Sequence, residues 1–278
     1  MPLREIRGIT THVQQAGQGP DVVLLHAATS NLSLWMWSGL FSDLSRDFRV
    51  TAYDLRGHGV SGVTQSGYTS DQLAEDFAAL HREFELEPAW LVGHSYGGVI
   101  AMQAAALFPE RVRGVVLSDP YFAALAELEP HATRNPVWDR LRETLSIVGQ
   151  DLGERVDFTH LFRVVAGLTP EQFAKIEVHG GAQSVRWLSQ MPRLADTTFG
   201  DDMFAIAGLT QERLRSVRQP VIALYDQHSP FWATCHWLET NLPHCVVDTV
   251  PDAAHLAPVE NPTAFNALVR KYLPTQRE

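Results

Sequence analysis

Trp90-Leu91-Val92-Gly93-His94-Ser95-Tyr96-Gly97-Gly98-Val99 sets one hydroxyl between two glycines, at the point where an apolar strand runs into a helix. In so sharp a strand-to-helix turn a Cβ on either flank would crowd the backbone, and Gly93 and Gly97 remove those atoms. The stretch reads as a nucleophile elbow that presents Ser95 Oγ to solvent. The Ala-rich segment that follows, from Gly97 to about Leu107, predicts a helix whose unpaired N–H groups favour a developing negative charge near the serine. A G-x-S-x-G pentapeptide alone also occurs in ordinary turns. The apolar run before it and the helix after it give this one its chemical meaning.

Working outward, short apolar strands alternate with amphipathic helices, the pattern of a mostly parallel sheet covered on both faces. Strands are expected at Asp21–His26, Phe48–Tyr53, Ala89–Val92, Val112–Leu117, Val221–Tyr225 and Cys245–Val250. Thr69-Ser70-Asp71-Gln72 fits a capping box, and Leu73, Phe77, Leu80 and Phe84 then recur on one helical face. Near the end Asn261 caps a closing helix, with Pro262 in its first turn and Phe265, Leu268, Val269 and Tyr272 on its buried stripe.

One interval breaks the rhythm. From Tyr121 to Val217 no strand is predicted, and helical patches at Pro136–Gly149, Thr169–Val178, Ser184–Met191 and Thr210–Val217 are separated by Gly, Pro and Asp. The expected organisation is a core of residues 1–120 and 218–278 with a helical cap at 121–217. Trp138, Phe158, Phe162, Trp187, Met191, Phe199, Met203 and Phe204 are more apolar surface than such short helices need for packing on one another. Together they suggest an apolar roof over the serine.

Composition excludes several classes. A chain of 278 residues that is 45% hydrophobic can bury a large core, so disorder is excluded. A formal charge of −10 with no basic run argues against nucleic acid and against anionic membrane surfaces. No segment approaches the roughly 18 apolar residues of a membrane span, and the N-terminal residues have no apolar signal core. Cys235 and Cys245 suit a reducing compartment as buried apolar residues, so a cytoplasmic protein is expected. Twelve histidines include no H-E-x-x-H, and His228, His236 and His244 lack ligand spacing, so no metal or other cofactor is expected.

With these residues in hand the chain resembles the α/β-hydrolase fold family over nearly its whole length. Leu24-Leu25-His26-Ala27-Ala28-Thr29-Ser30 is similar to the family's His-Gly oxyanion segment, with Ala27 in place of the usual glycine. By that match the oxyanion hole would be the backbone N–H groups of Ala28 and Tyr96. Asp54-Leu55-Arg56-Gly57-His58-Gly59-Val60-Ser61 resembles a structural turn of the family, which makes His58 a turn residue. Ala253-Ala254-His255-Leu256-Ala257-Pro258 resembles the loop that carries the catalytic base.

The chemistry asks for the same parts. A serine hydroxyl is a poor nucleophile at neutral pH and needs an imidazole to take its proton and return it to the leaving group. His255 is that base; His94, beside the serine, faces the other way by strand alternation and is read as packing. The acid departs from the family pattern. Pro220-Val221-Ile222-Ala223-Leu224-Tyr225-Asp226-Gln227-His228-Ser229 puts Asp226 where the family has glycine and Ser229 where it has aspartate. Asp119, just past the sixth strand, occupies the position of the acid in a subset of the family and is the expected partner of His255; Asp226 is the alternative.

The expectation is a capped serine hydrolase of the esterase, lactonase or thioesterase kind, with catalytic Ser95, His255 and Asp119. Its substrate would be a hydrophobic small molecule, a medium-sized carboxylic ester, lactone or thioester, with Trp35, Trp37, Phe231 and Trp232 near the site. A C–C bond hydrolase of the meta-cleavage type and a receptor-like binding protein are the alternative readings. The first of these resembles a group with Asn before the serine and an aromatic after the histidine, where this chain has His94 and Leu256. Sequence leaves the oligomeric state open.

Overall fold

The computed structural model describes residues 2–129 and 136–274; residues 1, 130–135 and 275–278 of the expected core and cap lie outside the described residues. Eight strands form one sheet: β1 (Leu3–Ile6), β2 (Ile9–Ala16), β3 (Asp21–Leu25), β4 (Arg49–Tyr53), β5 (Ala89–His94), β6 (Val112–Ser118), β7 (Val221–Asp226) and β8 (Cys245–Val250). Their order is β1-β2-β4-β3-β5-β6-β7-β8. The β1/β2 and β2/β4 pairs are antiparallel and every other neighbouring pair is parallel. All six expected strands are present. The two that sequence reading missed, β1 and β2, lie at the polar edge, where Arg4, Glu5, Thr10, Gln14 and Gln15 blur the apolar signal.

The inner strands β3 and β5 are buried along their whole length because helices cover both faces. Side-chain alternation then sorts residues between two cores. Val23 and Leu25 pack with the helices Ser70–Glu83 and Tyr96–Leu107, whereas Val22 and Leu24 pack with Leu34, Leu40 and Phe265 from helices on the opposite face.

Several helix ends are fixed by side-chain caps. Asn261 Oδ1 accepts from Ala264 N–H at 3.2 Å and Pro262 opens the closing helix, with Phe265 and Val269 buried and Leu268 and Tyr272 partly so. The predicted box at Thr69 does not form. Its hydroxyl turns to the Asp71 and Gln72 side chains instead of accepting from the helix backbone, so this helix starts with no side-chain cap. A reciprocal box forms at Thr169 and Gln172, at the start of a predicted helix in the insertion.

Between β6 and β7 the chain is helical, with no strand among the described residues. Helices span Pro136–Ser146, Phe158–Ala166, Pro170–Leu188, Phe199–Asp202 and Gln211–Arg215. Two expected patches merge into Pro170–Leu188, broken at Gly181 (φ 78°, ψ 163°). The insertion is tied to the sheet loops by polar contacts. Arg193 donates to the carbonyls of Gly59 and Ser61, Thr198 N–H to Gln65 O at 2.9 Å, and Tyr68 N–H to Asp202 Oδ2 at 3.2 Å. Its aromatic residues continue the core beneath: Phe199 meets Phe162, Tyr68, Tyr96 and His58 at ring distances of 4.8–6.0 Å. Among the described residues no helix is long and apolar enough to cross a membrane.

Candidate active site

The elbow is built as its glycines require. Ser95, between β5 and the helix Tyr96–Leu107, has φ 51° and ψ −117°, a sparsely populated conformation that costs of order 1–3 kcal/mol. A Cβ on Gly93 would lie 2.3 Å from Gly97 O, and one on Gly97 would lie 2.2 Å from Leu25 O. The second contact reflects the close packing of the helix's first turn on the end of β3, just before the segment that contains Ala28.

Neither the Ala28 nor the Tyr96 N–H has a hydrogen-bond acceptor among the described residues. Tyr96 opens a helix and so carries one of its unpaired donors. Its side chain points away, donating to Tyr68 O at 2.6 Å. The 27–30 segment is a β-turn closed by Ser30 N–H to Ala27 O at 3.2 Å. Ala27 stands in for glycine without strain because the left-handed position of this turn is Thr29, with φ 57°.

Asp119 Oδ2 accepts from His255 Nδ1 at 2.7 Å. Asp119 is 0% exposed and His255 9%. The contact puts a proton on Nδ1 and leaves Nε2 as the basic nitrogen. Like Ser95 and Thr29, Asp119 has a positive φ, 51°, and it is held by its own N–H on Leu224 O at 3.0 Å. Ser95 N–H donates to Ser118 O at 2.8 Å, which couples the elbow to the residue before this carboxylate. Among the described residues Ser95 Oγ makes no hydrogen bond. The serine is half-buried rather than fully solvent-facing as expected.

Asp226 takes a different place. Its Oδ2 accepts from Ala257 N–H at 3.0 Å, and its own N–H donates to Asp119 Oδ1 at 3.3 Å. Burial, then the neighbouring Asp119 carboxylate, push its pKa up to about 8, against the pull of the Ala257 and His255 N–H groups. Sequence reading offered Asp226 as an alternative acid; here its Oδ2 holds the loop that carries His255. Glu260 does the same from outside, Oε2 accepting from Ala254 N–H at 2.8 Å and Leu256 N–H at 3.1 Å. Neither role was visible in the sequence. Ser229, where the family has its usual acid, accepts from Phe231 N–H at 2.9 Å and shapes a turn.

Several expected neighbours are corrected. His94 does not point clear of the site: its ring lies 5.4 Å from that of His255, and Nδ1 is 3.1 Å from Ser118 Oγ. Burial, then the neighbouring His255, hold its pKa down at about 3, so it is a neutral surface against the His255 ring. Strand alternation failed because His255 arrives over the end of β5, where the strand is already turning. Phe231 meets His255 edge-on at 5.4 Å, as expected of a site residue. Trp35 stacks on Phe265 in the opposite core, and Trp37 is 71% exposed. Both sit on a short helix that packs on the far face. Trp232 packs on Tyr225 and His236.

His58 is a buried turn residue. Nδ1 lies 2.8 Å from Arg56 O, and burial, then nearby His26, lower its pKa to about 3. Of the cysteines, Cys235 is buried and Cys245 only half so; both are free thiols. From the insertion, Trp187 Nε1–H donates to Thr29 Oγ1 at 2.9 Å. No group of three or more metal-ligating side chains occurs among the described residues.

This arrangement matches a known family. Residues 20–161 match the model of the alpha/beta hydrolase fold. The chain is 30% identical over 259 residues to 2-(acetamidomethylene)succinate hydrolase of Mesorhizobium japonicum, covering 90% of this chain and 87% of that one. It is 32% identical over 269 residues to the pimeloyl-[acyl-carrier protein] methyl ester esterase of Yersinia enterocolitica, covering 91% and 93%. A solved structure of E-2-(acetamidomethylene)succinate hydrolase superposes with a TM-score of 0.65 at 27% identity, over 98% of this chain and 97% of that one. With sheet order, elbow and relatives in agreement, the chain belongs to the α/β-hydrolase fold family and is a hydrolase.

Proposed function

We propose that this protein cleaves a carboxylic ester, lactone or thioester with a hydrophobic acyl group through an acyl-serine intermediate. The observation that carries the reading is the buried 2.7 Å pair of Asp119 and His255, with Asp119 next in the chain to Ser118, whose carbonyl accepts the N–H of the strained Ser95. His255 Nε2 takes the Ser95 proton as Oγ attacks the carbonyl, and Asp119 offsets the imidazolium charge that appears. The Ala28 and Tyr96 N–H groups receive the oxyanion. His255 then protonates the leaving alcohol or thiol, and water repeats the sequence to release the acid.

The acyl group meets apolar surface, which supports a hydrophobic substrate. A chain of rings runs from His255 through Phe231 and Tyr121 to Phe204, at 5.4, 5.4 and 6.5 Å. The helical segment 121–217 acts as the cap over this surface. The named esterase relative supports the ester reading. The cytoplasmic location belongs to the same proposal, supported by two cysteines that remain free thiols.

A fluorophosphonate probe tests the reading. It should label wild type at Ser95 and leave Ser95→Ala unlabelled, with a burst of product when p-nitrophenyl esters are mixed with the wild type. Labelling that persists in the variant, or that maps to another serine such as Ser229, overturns it.

A further inference from the structure

We propose that Trp187 is a positioning residue for the oxyanion hole: through Thr29 it transmits the docking of the helical insertion to the Ala28 N–H. The proposal rests on the role given above to Ala28. Trp187 Nε1–H donates to Thr29 Oγ1 at 2.9 Å, and the same hydroxyl donates to Ala28 O at 2.7 Å. The hydroxyl thus accepts once and donates once, a consistent relay of two bonds.

The residue in the middle is the unexpected one. Thr29 sits in the left-handed position of the 27–30 turn, where glycine or asparagine fits and a β-branched side chain does not. A residue kept there against its own preference is held by what its side chain does. Here that is the bond to Ala28 O, which fixes the peptide plane directly after the proposed donor, and the bond to Trp187, which makes that plane depend on the insertion.

The other supports of this loop come from the sheet side. Leu32 N–H is held by Asp54 Oδ1 at 2.8 Å, and His26 Nε2 accepts from Leu55 N–H at 3.0 Å. Trp187 reaches across from the insertion, on the short segment after the break at Gly181 and just before Arg193, which is anchored on Gly59 and Ser61. A Cβ on Gly181 would meet nothing within 4 Å, so its left-handed φ rather than crowding accounts for glycine there. The segment from Gly181 to Arg193 is therefore pinned at one end, jointed at the other, and carries the indole between them.

The test uses full-length protein, p-nitrophenyl butyrate and p-nitrophenyl octanoate, with rates expressed per site titrated to completion by fluorophosphonate, so that only folded enzyme is counted. Trp187→Phe keeps an aromatic ring and loses the N–H. Thr29→Gly suits the turn and loses the hydroxyl, and Thr29→Ser keeps the hydroxyl. For Trp187→Phe and for Thr29→Gly, kcat and kcat/KM should fall together by on the order of tenfold on both esters, with KM within about twofold of wild type. The double variant should be no slower than the slower single one, and Thr29→Ser should keep wild-type kcat. A Trp187→Phe enzyme with wild-type kcat, or losses that multiply in the double variant, overturns the relay while leaving the hydrolase reading intact. Absence of Ser95 labelling and turnover in the wild type overturns the hydrolase reading itself, and the relay with it.

Discussion

Asp119 Oδ2 lies 2.7 Å from His255 Nδ1 although 136 residues separate them in the chain. A carboxylate at the end of β6 thus reaches a histidine that follows β8, across the end of β7. Asp119→Asn keeps the shape but removes the negative charge and favours the wrong imidazole tautomer. kcat should fall by on the order of 10⁴-fold with KM little changed, as steady-state kinetics will show. Asp226→Asn should cost far less. If Asp226→Asn is the crippled variant, the acid is the residue of β7.

Asp226 should also make stability depend on pH. Its folded pKa is raised to about 8, by burial first and by Asp119 second, against about 3.9 in an unfolded chain. The folded state then holds a proton that the unfolded state has released, so this contribution is full below about pH 4 and is lost as pH rises through about 8. Urea unfolding of wild type should show declining stability across that window. Asp226→Asn should flatten the decline; an unchanged slope would assign it to other groups.

Trp187→Ala removes ring surface as well as the N–H. Relative kcat/KM between short and long acyl esters should shift by roughly tenfold, at the lower end of the about 1–3 kcal/mol that hydrophobic pocket contacts supply. Trp187→Phe, which keeps the ring, should leave that ratio alone. Equal ratios in all three proteins would remove Trp187 from the acyl pocket.

Gly97→Ala should be the most damaging small substitution at the elbow. Its Cβ would lie 2.2 Å from Leu25 O and 2.7 Å from His26 O, and both are backbone atoms of the strand and loop beneath. A loss of about 1–3 kcal/mol is expected in denaturant unfolding, together with slowed fluorophosphonate labelling. Full stability would mean that the helix can lift from β3 at little cost.

What the sequence determined by itself was whatever short-range sterics and periodicity impose. Gly93 and Gly97 around Ser95 admit one kind of turn, apolar runs of five to seven residues (Asp21–Leu25, Val112–Ser118) make inner strands, and the Asn261-Pro262 start makes the closing helix. The polar edge strands β1 and β2 escaped because they bury too little to carry that signal. Tertiary structure decided everything that depends on two distant segments meeting. It decided which group meets Asp119 and which meets Asp226, strand-end carboxylates that look alike in the chain: His255 arrives opposite the first and the Ala257 amide opposite the second. It sent Trp35 to the far core and Phe231 to His255, although the sequence offered both as aromatics near the site. It joined Trp187 to Thr29 across 158 residues, since a side chain's partner is fixed by packing that no local pattern encodes.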